Sequence, residues 1–285
     1  MSQPHIHLVG FGSQGTAWAE NLRRSGWQVS VYLGRSDSAS FEKARALGFD
    51  PALIIELPKR LAASPAPADG AAMVAMLVPD HLIAPLYREF VASVARPLTI
   101  VLAHGYAVYA GELVALAAGH EPALLAPKAI GPKLEAAHKA VAPEPHHLVA
   151  AISAGDARDG SVVALAQGLG FAPERLVRAS FEQEAVGDLI SEQTLLCGGV
   201  FNLIEWTMEA MHEAGVPADL IREECLTELE LIAGLIRERG VAATLGKISP
   251  AAQCGTIAMR ERLVRAGVPE AIAEQARDVV SRKFV

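Results

Sequence analysis

Apolar residues in the first part of the chain come in short runs, separated by turn residues and by stretches with helical spacing. His5–Val9 is such a run, 10–15 is rich in glycine, 16–25 has helical spacing, and Gln28–Leu33 alternates as a second strand. Strand, turn, helix, strand is the grammar of a βαβ unit. Further short strands are predicted at 73–78, 98–103, 123–126, 148–151 and Leu176–Arg178, with 62–72, rich in Ala and Pro, as a loop. This alternation predicts an α/β chain with a Rossmann-type doubly wound sheet over 1–180, its strands parallel. The texture then changes. From 181 to 214 there is no proline and apolar residues recur at helical spacing, interrupted by Gly198-Gly199, a place for another helix to cross closely. A second helix is predicted from 218 to 239, stopped by Gly240, and a third from 269 to 283, which makes 181–285 an all-helical domain.

Composition narrows the function classes. A formal net charge of -7, with no long run of Lys or Arg, argues against nucleic acid as a partner. No apolar run approaches the roughly 20 residues that a membrane helix needs. The three cysteines, Cys197, Cys225 and Cys254, fit no zinc spacing, and their odd number points to reduced thiols as small buried hydrophobes. With no basic and apolar leader at the N-terminus, the expected compartment is the cytoplasm.

Gly10-Phe11-Gly12-Ser13-Gln14-Gly15 matches G-x-G-x-x-G in the required place, after a strand and at the start of a helix. The glycines permit a tight turn, close approach to a pyrophosphate and close helix packing, and the helix N-terminus offers N–H donors. A dinucleotide is therefore the expected cofactor. Its type is read after the second strand, at Gly34-Arg35-Ser36-Asp37-Ser38. Arg35, Ser36 and Ser38 suit a 2′-phosphate and favour NADPH. Asp37 opposes it if it faces inward, and is a solvated loop carboxylate if it does not.

Asp188 and Glu192 stand four residues apart in one helical stretch, and Glu224 and Glu228 repeat that spacing in another. Each pair projects from one helix face and offers the oxygen ligands that hard cations such as Mg2+ take. Acidic residues on helices are also commonly just solvated. The flanking Leu189, Ile190, Leu195 and Leu196, and Leu226, Leu229, Leu231 and Ile232, predict partial burial, which would demand a compensating partner. His104 and Lys128 each follow a predicted strand end, the edge where open α/β sheets bind ligands.

Taken in order, these motifs resemble the ketol-acid reductoisomerase (acetohydroxy-acid isomeroreductase) family along nearly the whole chain. The resemblance rests on the glycine loop with Asn21-Leu22 and Ser25-Gly26, then Val78-Pro79-Asp80, Ala103-His104-Gly105-Tyr106 and Ala126-Pro127-Lys128. It continues through Asp188-Leu189, Ser191-Glu192-Gln193, Leu196-Cys197-Gly198-Gly199, Glu224-Cys225-Leu226-Thr227-Glu228-Leu229 and Ile248-Ser249. It implies a knotted helical domain, an intertwined homodimer or higher homo-oligomer, and a small-molecule substrate. It also implies two Mg2+ ions held by Asp188, Glu192, Glu224 and Glu228, with proton movement supported by His104 and Lys128. Ser249 would hold the substrate, and Pro79 and Gly131 would join the glycine loop against NADPH. The implied reaction is alkyl migration in a 2-hydroxy-3-keto acid such as 2-acetolactate, followed by reduction to a 2,3-dihydroxy acid in branched-chain amino acid synthesis.

Departures from the family pattern cluster near the substrate. Lys128 is followed by Ala129-Ile130-Gly131-Pro132 where the family reads Gly-Pro-Gly-His, Thr227 replaces a histidine, and Pro250-Ala251-Ala252-Gln253-Cys254-Gly255 replaces Asn-Thr-Ala-Glu-Tyr-Gly. Two other readings therefore stay open: a diverged reductase of another 2-keto acid or carbonyl compound, and a non-catalytic dinucleotide-binding protein.

Overall fold

The computed structural model describes residues 3–64 and 70–283, so the middle of the predicted 62–72 loop lies outside the described residues. The chain divides into two compact units, Met1–Ala185 and Val186–Val285.

The first unit is built on strands β1 His5–Val9, β2 Gln28–Leu33, β3 Ala52–Leu53, β4 Ala72–Met76, β5 Leu98–Leu102, β6 His120–Pro127, β7 Ala150–Ser153 and β8 Leu176–Arg178. They form one sheet in the order β3-β2-β1-β4-β5-β6-β7-β8. Every residue of β4 and β5 is buried, as expected of central parallel strands covered on both faces. The helices of this unit are α1 Ser13–Arg24, α2 Ala39–Ala46, α3 Leu57–Ala63, α4 Asp80–Leu86, α5 Tyr106–Tyr109, α6 Gly131–Val141 and α7 Asp156–Gly168. Helix α8, Phe181–Ile190, follows β8 and carries the chain into the second unit.

One core, with Trp18, Leu22, Leu134, Leu165 and Phe171, fills the α1/α6/α7 face, and a second, with Leu57, Leu61, Ile83 and Tyr87, fills the other. The sheet is not wholly parallel: β7 runs antiparallel to β6. Apolar runs mark a strand but carry no direction, which is why the sequence reading missed this. The two-residue strand β3 was missed for its brevity. Chain order reverses between β1 and β4, the switch point at which doubly wound sheets open a binding crevice beyond the strand ends.

A buried histidine network lies against β1 and β2. His7 Nδ1 lies 2.9 Å from the Tyr32 hydroxyl and its Nε2 3.2 Å from Ser64 Oγ. Ser64 donates its own hydrogen to the Arg60 carbonyl, so Nε2 is the donor to Ser64 and Nδ1 accepts from Tyr32. Burial first, then the charges of His5, Arg96 and Arg60, push His7 down from 6.5 to about 3. Burial likewise lowers His5, His138 and His146 and raises Tyr32 to about 12. A histidine depressed in the folded state is protonated first in the unfolded chain, so stability is lost as pH falls below 6.5. For His7 alone the loss is about 1.4 kcal/mol per pH unit down to about pH 3. Chemical denaturation at pH 7 and pH 5 should show this drop. His7→Phe should flatten it, and an unchanged slope in that variant would contradict the assignment.

The second unit is helical. A π-helical segment, Ser191–Val200, is followed by α9 Phe201–Glu213 and α10 Ala218–Arg222, then by a second π segment, Glu223–Thr227, and α11 Glu228–Arg239. Helices α12 Val241–Leu245, α13 Pro250–Arg265 and α14 Val268–Val280 complete it. Gly240, with φ 80°, ends α11 as its position predicts. Among the described residues, the atoms nearest a Cβ on Gly198 or Gly199 belong to this same segment and not to a crossing helix. A Cβ on either would fall within 1.8 or 2.6 Å of the carbonyls of Gln193 and Thr194, five residues back, so both glycines serve the π turn itself. Among the described residues no helix is long and apolar enough to cross a membrane.

Candidate active site

The parallel strands β1, β4, β5 and β6 end along one edge of the sheet, and the chemistry-bearing residues of the first unit gather there. After β1, Gly10 takes φ 103°, and a Cβ on it would lie 2.2 Å from the Leu77 carbonyl. A Cβ on Gly15 would lie 2.5 Å from the Gly10 carbonyl. Both glycines are thus dictated by packing, as the motif predicts. Gly12 meets nothing within 4 Å; no packing demands a glycine there, and the open approach suits a ligand. Helix α1 begins at Gly12 with no side-chain cap and no acidic residue in its first turn, leaving N–H donors suited to a pyrophosphate.

Not every residue of the loop faces that approach. The Phe11 side chain is buried in the core, edge-on to Phe49, so only its backbone is placed to serve a cofactor. Gln14 turns its amide to the Ala129 carbonyl, 2.8 Å away.

Beyond β2, Arg35 and Asp37 bind each other through two contacts of 2.9 and 2.8 Å, both side chains well exposed. That contact lowers the Asp37 carboxyl and raises the Arg35 guanidinium. Ser36 is exposed in the same turn. Ser38 caps α2: its hydroxyl accepts from Phe41 N–H and donates to the Arg35 carbonyl. Pro79 is the N-cap residue of α4, and Gly131 opens α6.

His104 and Lys128, predicted from their strand-end positions, converge on a residue that sequence reading did not single out, Glu184 of α8. Its side chain is 1 % exposed. Oε1 accepts from Lys128 Nζ at 2.5 Å and Oε2 from the Gly105 N–H at 2.6 Å. His104 Nε2 lies 3.8 Å from Oε2, and its Nδ1 lies 3.6 Å from Asp80 Oδ2 at the start of α4. Those two separations exceed hydrogen-bond range, and the imidazole stands between the two carboxylates. The Tyr106 ring stacks parallel to it, centroids 6.1 Å apart. Gly105 permits the arrangement, since a Cβ there would stand 2.2 Å from the Phe181 carbonyl and displace the first turn of α8. A carboxylate so buried is tolerable only because both oxygens are bonded, one to a cation. The available signal was spacing: Glu184 precedes Asp188 by four residues, extending the acidic ladder by one turn.

In the second unit the two carboxylate pairs each border or enter a π segment. Glu192 lies within Ser191–Val200, Glu224 lies within Glu223–Thr227, and Asp188 and Glu228 sit on the adjoining α-helices. π turns interrupting α-helices recur at functional sites. The expected partial burial holds for Asp188 only; Glu192, Glu224 and Glu228 are exposed. Their apolar neighbours are exposed too, among them Leu195, Leu196, Leu226, Leu229 and Leu231. The apolar flanks therefore do not enclose the carboxylates within one chain. Four hard oxygen donors at i, i+4 spacing remain a fitting donor set for Mg2+. Ser249 is exposed and caps α13, accepting from Ala252 N–H. Thr227, where the resembled family has a histidine, bonds Glu223. The three cysteines are free thiols, and none is buried: Cys197 and Cys254 are exposed and Cys225 is half-buried.

Comparison with known proteins gives two family matches that together span most of the chain. Residues 1–175 match the acetohydroxy acid isomeroreductase NADPH-binding domain, and residues 181–285 the ketol-acid reductoisomerase C-terminal domain. An NADH-preferring ketol-acid reductoisomerase from an uncultured archean shares the fold, with TM-score 0.81 and 24% identity over 99% of this chain and 83% of that one. A semialdehyde dehydrogenase NAD-binding protein from Cupriavidus necator, in complex with calcium and NAD, aligns with TM-score 0.70 and 18% identity, covering 98% of this chain and 99% of that one. A 1-pyrroline-5-carboxylate reductase from Streptococcus pyogenes aligns with TM-score 0.64 and 14% identity, covering 97% and 98%.

Proposed function

The chain belongs to the ketol-acid reductoisomerase family, and on that premise we propose that it converts 2-acetolactate-type acids to 2,3-dihydroxy acids, using NADPH and Mg2+, in branched-chain amino acid synthesis. The observation that carries this reading is the meeting of His104 and Lys128 on buried Glu184, at the sheet edge that also presents the glycine loop.

The reaction sets the requirements. The alkyl group leaves C2 for C3 with its bonding pair, the C2 hydroxyl becomes a carbonyl, and the C3 carbonyl becomes a hydroxyl. One proton must therefore pass from the C2 oxygen to the C3 oxygen. Reduction then adds hydride at C2 and a second proton to its oxygen. Lys128 and His104 hold and move those protons, and Glu184 fixes the Lys128 ammonium in place. Asp188, Glu192, Glu224 and Glu228 would hold Mg2+, which supplies Lewis acidity to the substrate oxygens. The α1 N-terminus and Gly12 would hold the dinucleotide pyrophosphate, and the bound dinucleotide would supply the hydride.

Arg35 supports NADPH. An exposed ion pair such as Arg35–Asp37 contributes little, being screened by water. A 2′-phosphate carries more negative charge than a carboxylate and can take two guanidinium N–H donors, so Arg35 would bind it in place of Asp37. Arg35→Ala should raise the KM for NADPH by about tenfold and change that for NADH by less than about twofold. Equal changes, measured in steady state with both dinucleotides, would contradict the assignment.

A second copy of the chain is the proposed cover for the apolar surface of the second unit. Among its described residues only Ile221, Thr244 and Val279 are buried, while Phe201 and Trp206 are 67% and 59% exposed. Helices that bury so little of their apolar side chains mark an association surface.

The departures after Lys128 and Ser249 favour one second reading, a reductase acting on another 2-keto acid. NADPH oxidation by the purified chain with 2-acetolactate separates the two. Turnover at about 1 per second or faster that requires Mg2+ supports the reductoisomerase, whereas oxidation confined to preformed 2-keto acids supports the reductase. NADPH binding with no turnover on either substrate would leave a non-catalytic protein.

A further inference from the structure

The glycine loop and the segment that carries Lys128 are clasped together. Gln14 Nε2 donates to the Ala129 carbonyl at 2.8 Å across 115 residues of sequence. Next to this bond Gly131 packs on Ser13 so closely that a Cβ would lie 2.3 Å from the Ser13 carbonyl and 2.5 Å from its Oγ. Ser13 and Gln14 are the first two residues of α1, whose N-terminus suits the pyrophosphate, while Ala129 adjoins Lys128 and Gly131 opens α6. The far side of the segment is tied as well: Lys128 N–H donates to the Val149 carbonyl at 2.8 Å. Deeper along α1, Asn21 Nδ2 lies 3.3 Å from the carbonyls of Leu134 in α6 and of Leu169 at the end of α7. Gln14 holds its bond at a cost, because its Oε1 is buried with no partner among the described residues. A side chain whose role was only to contact a cofactor would have no reason to spend its amide on a distant loop.

We propose that Gln14 is a positioning residue that couples occupancy of the glycine loop to the placement of Lys128, through the Gln14–Ala129 hydrogen bond and the Ser13–Gly131 contact. Ordering of the first turn of α1 by a dinucleotide passes directly to the Ala129 carbonyl, and so to the backbone that sets the start of the Lys128 side chain. The catalytic consequence rests on the reading of Lys128 given above, whereas the coupling itself does not.

Hydrogen exchange with mass spectrometry on the full chain, with and without NADPH, tests the coupling without turnover. In the wild type NADPH should slow exchange in both 10–16 and 128–134. In Gln14→Met, which keeps the length and loses the donor, 10–16 should still respond, while the response of 128–134 should fall by about fivefold or more. Gly131→Ala, which wedges the two segments apart, should uncouple them in the same way and serves if the first variant does not fold. In Gln14→Met kcat should fall by about tenfold, with the NADPH dissociation constant within about threefold of wild type. A full NADPH response of 128–134 in a folded variant would overturn the proposal, as would lost NADPH affinity at unchanged kcat. Coupling observed in a wild type with no turnover would instead overturn the catalytic reading of Lys128 and leave the clasp standing.

Discussion

Glu184→Gln should leave a folded protein that binds NADPH normally and turns over about a hundredfold more slowly, because a misplaced Lys128 loses most of what a positioned proton-transfer group contributes. The glutamine keeps an oxygen for the Gly105 N–H but removes the charge that fixes Lys128 and that stands 3.8 Å from His104. Glu184→Ala should do more, because it strips the Gly105 N–H and the Lys128 ammonium of their shared partner inside a site where the carboxylate is 1 % exposed. Breaking a buried charged pair by deleting one partner costs about 3–5 kcal/mol. The half-exposed lysine can turn partly to water, which puts the expected loss at the low end, about 3 kcal/mol. Denaturation midpoints and single-turnover rates for both variants separate the two effects. Wild-type kcat in Glu184→Gln would make Glu184 a purely structural anchor and move the catalytic reading away from Lys128.

Asp188→Asn should remove turnover almost entirely. A carboxylate that helps hold a Lewis-acidic cation supports several kcal/mol of transition-state charge, which corresponds to about a thousandfold in rate. The asparagine keeps size and helical position, so the circular dichroism of the helices should not change. NADPH affinity should also be unaffected, since the glycine loop and Arg35 belong to the first unit. Titration calorimetry with Mg2+ and with NADPH provides both readouts. Equal loss of metal and dinucleotide binding would contradict separate sites. Mg2+-dependent turnover at the wild-type rate would remove Asp188 from the metal set.

Much of the fold was legible because its signals are local. The central strand β1, the glycine loop and α1 follow from one continuous stretch, residues 5–24, and Gly10 and Gly15, which the turn and the close packing demand, were named in advance. What escaped was set by partners far away in sequence. The reversed direction of β7 depends on how the chain returns after α6, which no run of apolar residues records. The π segments look helical at the level of apolar spacing, and only the i+5 contacts of Gly198 and Gly199 reveal them. Helix α13 went unread, its apolar positions giving no clear stripe.

The site divides in the same way. His104 and Lys128 were singled out by strand-end position, but Glu184, which lies beside both, was not. Nothing local sets Glu184 apart from the other acids on these helices; its partners Gly105 and Lys128 lie 79 and 56 residues away. The exposed Glu192, Glu224 and Glu228 show the converse error. Apolar neighbours predicted burial, yet on helices that leave Leu195, Leu226 and Leu229 exposed within one chain, those neighbours enclose nothing.

The central claim is that this chain joins alkyl migration to reduction, and the most direct measurement follows the carbon skeleton. 2-Acetolactate labelled with carbon-13 in the methyl group on C2 is incubated with the purified chain, NADPH and Mg2+, and the product is read by NMR. The account predicts 2,3-dihydroxy-3-methylbutanoate, with the labelled methyl on C3 beside the original one. A product that retains the label on C2, 2,3-dihydroxy-2-methylbutanoate, would show reduction of the C3 carbonyl without migration and would contradict the account.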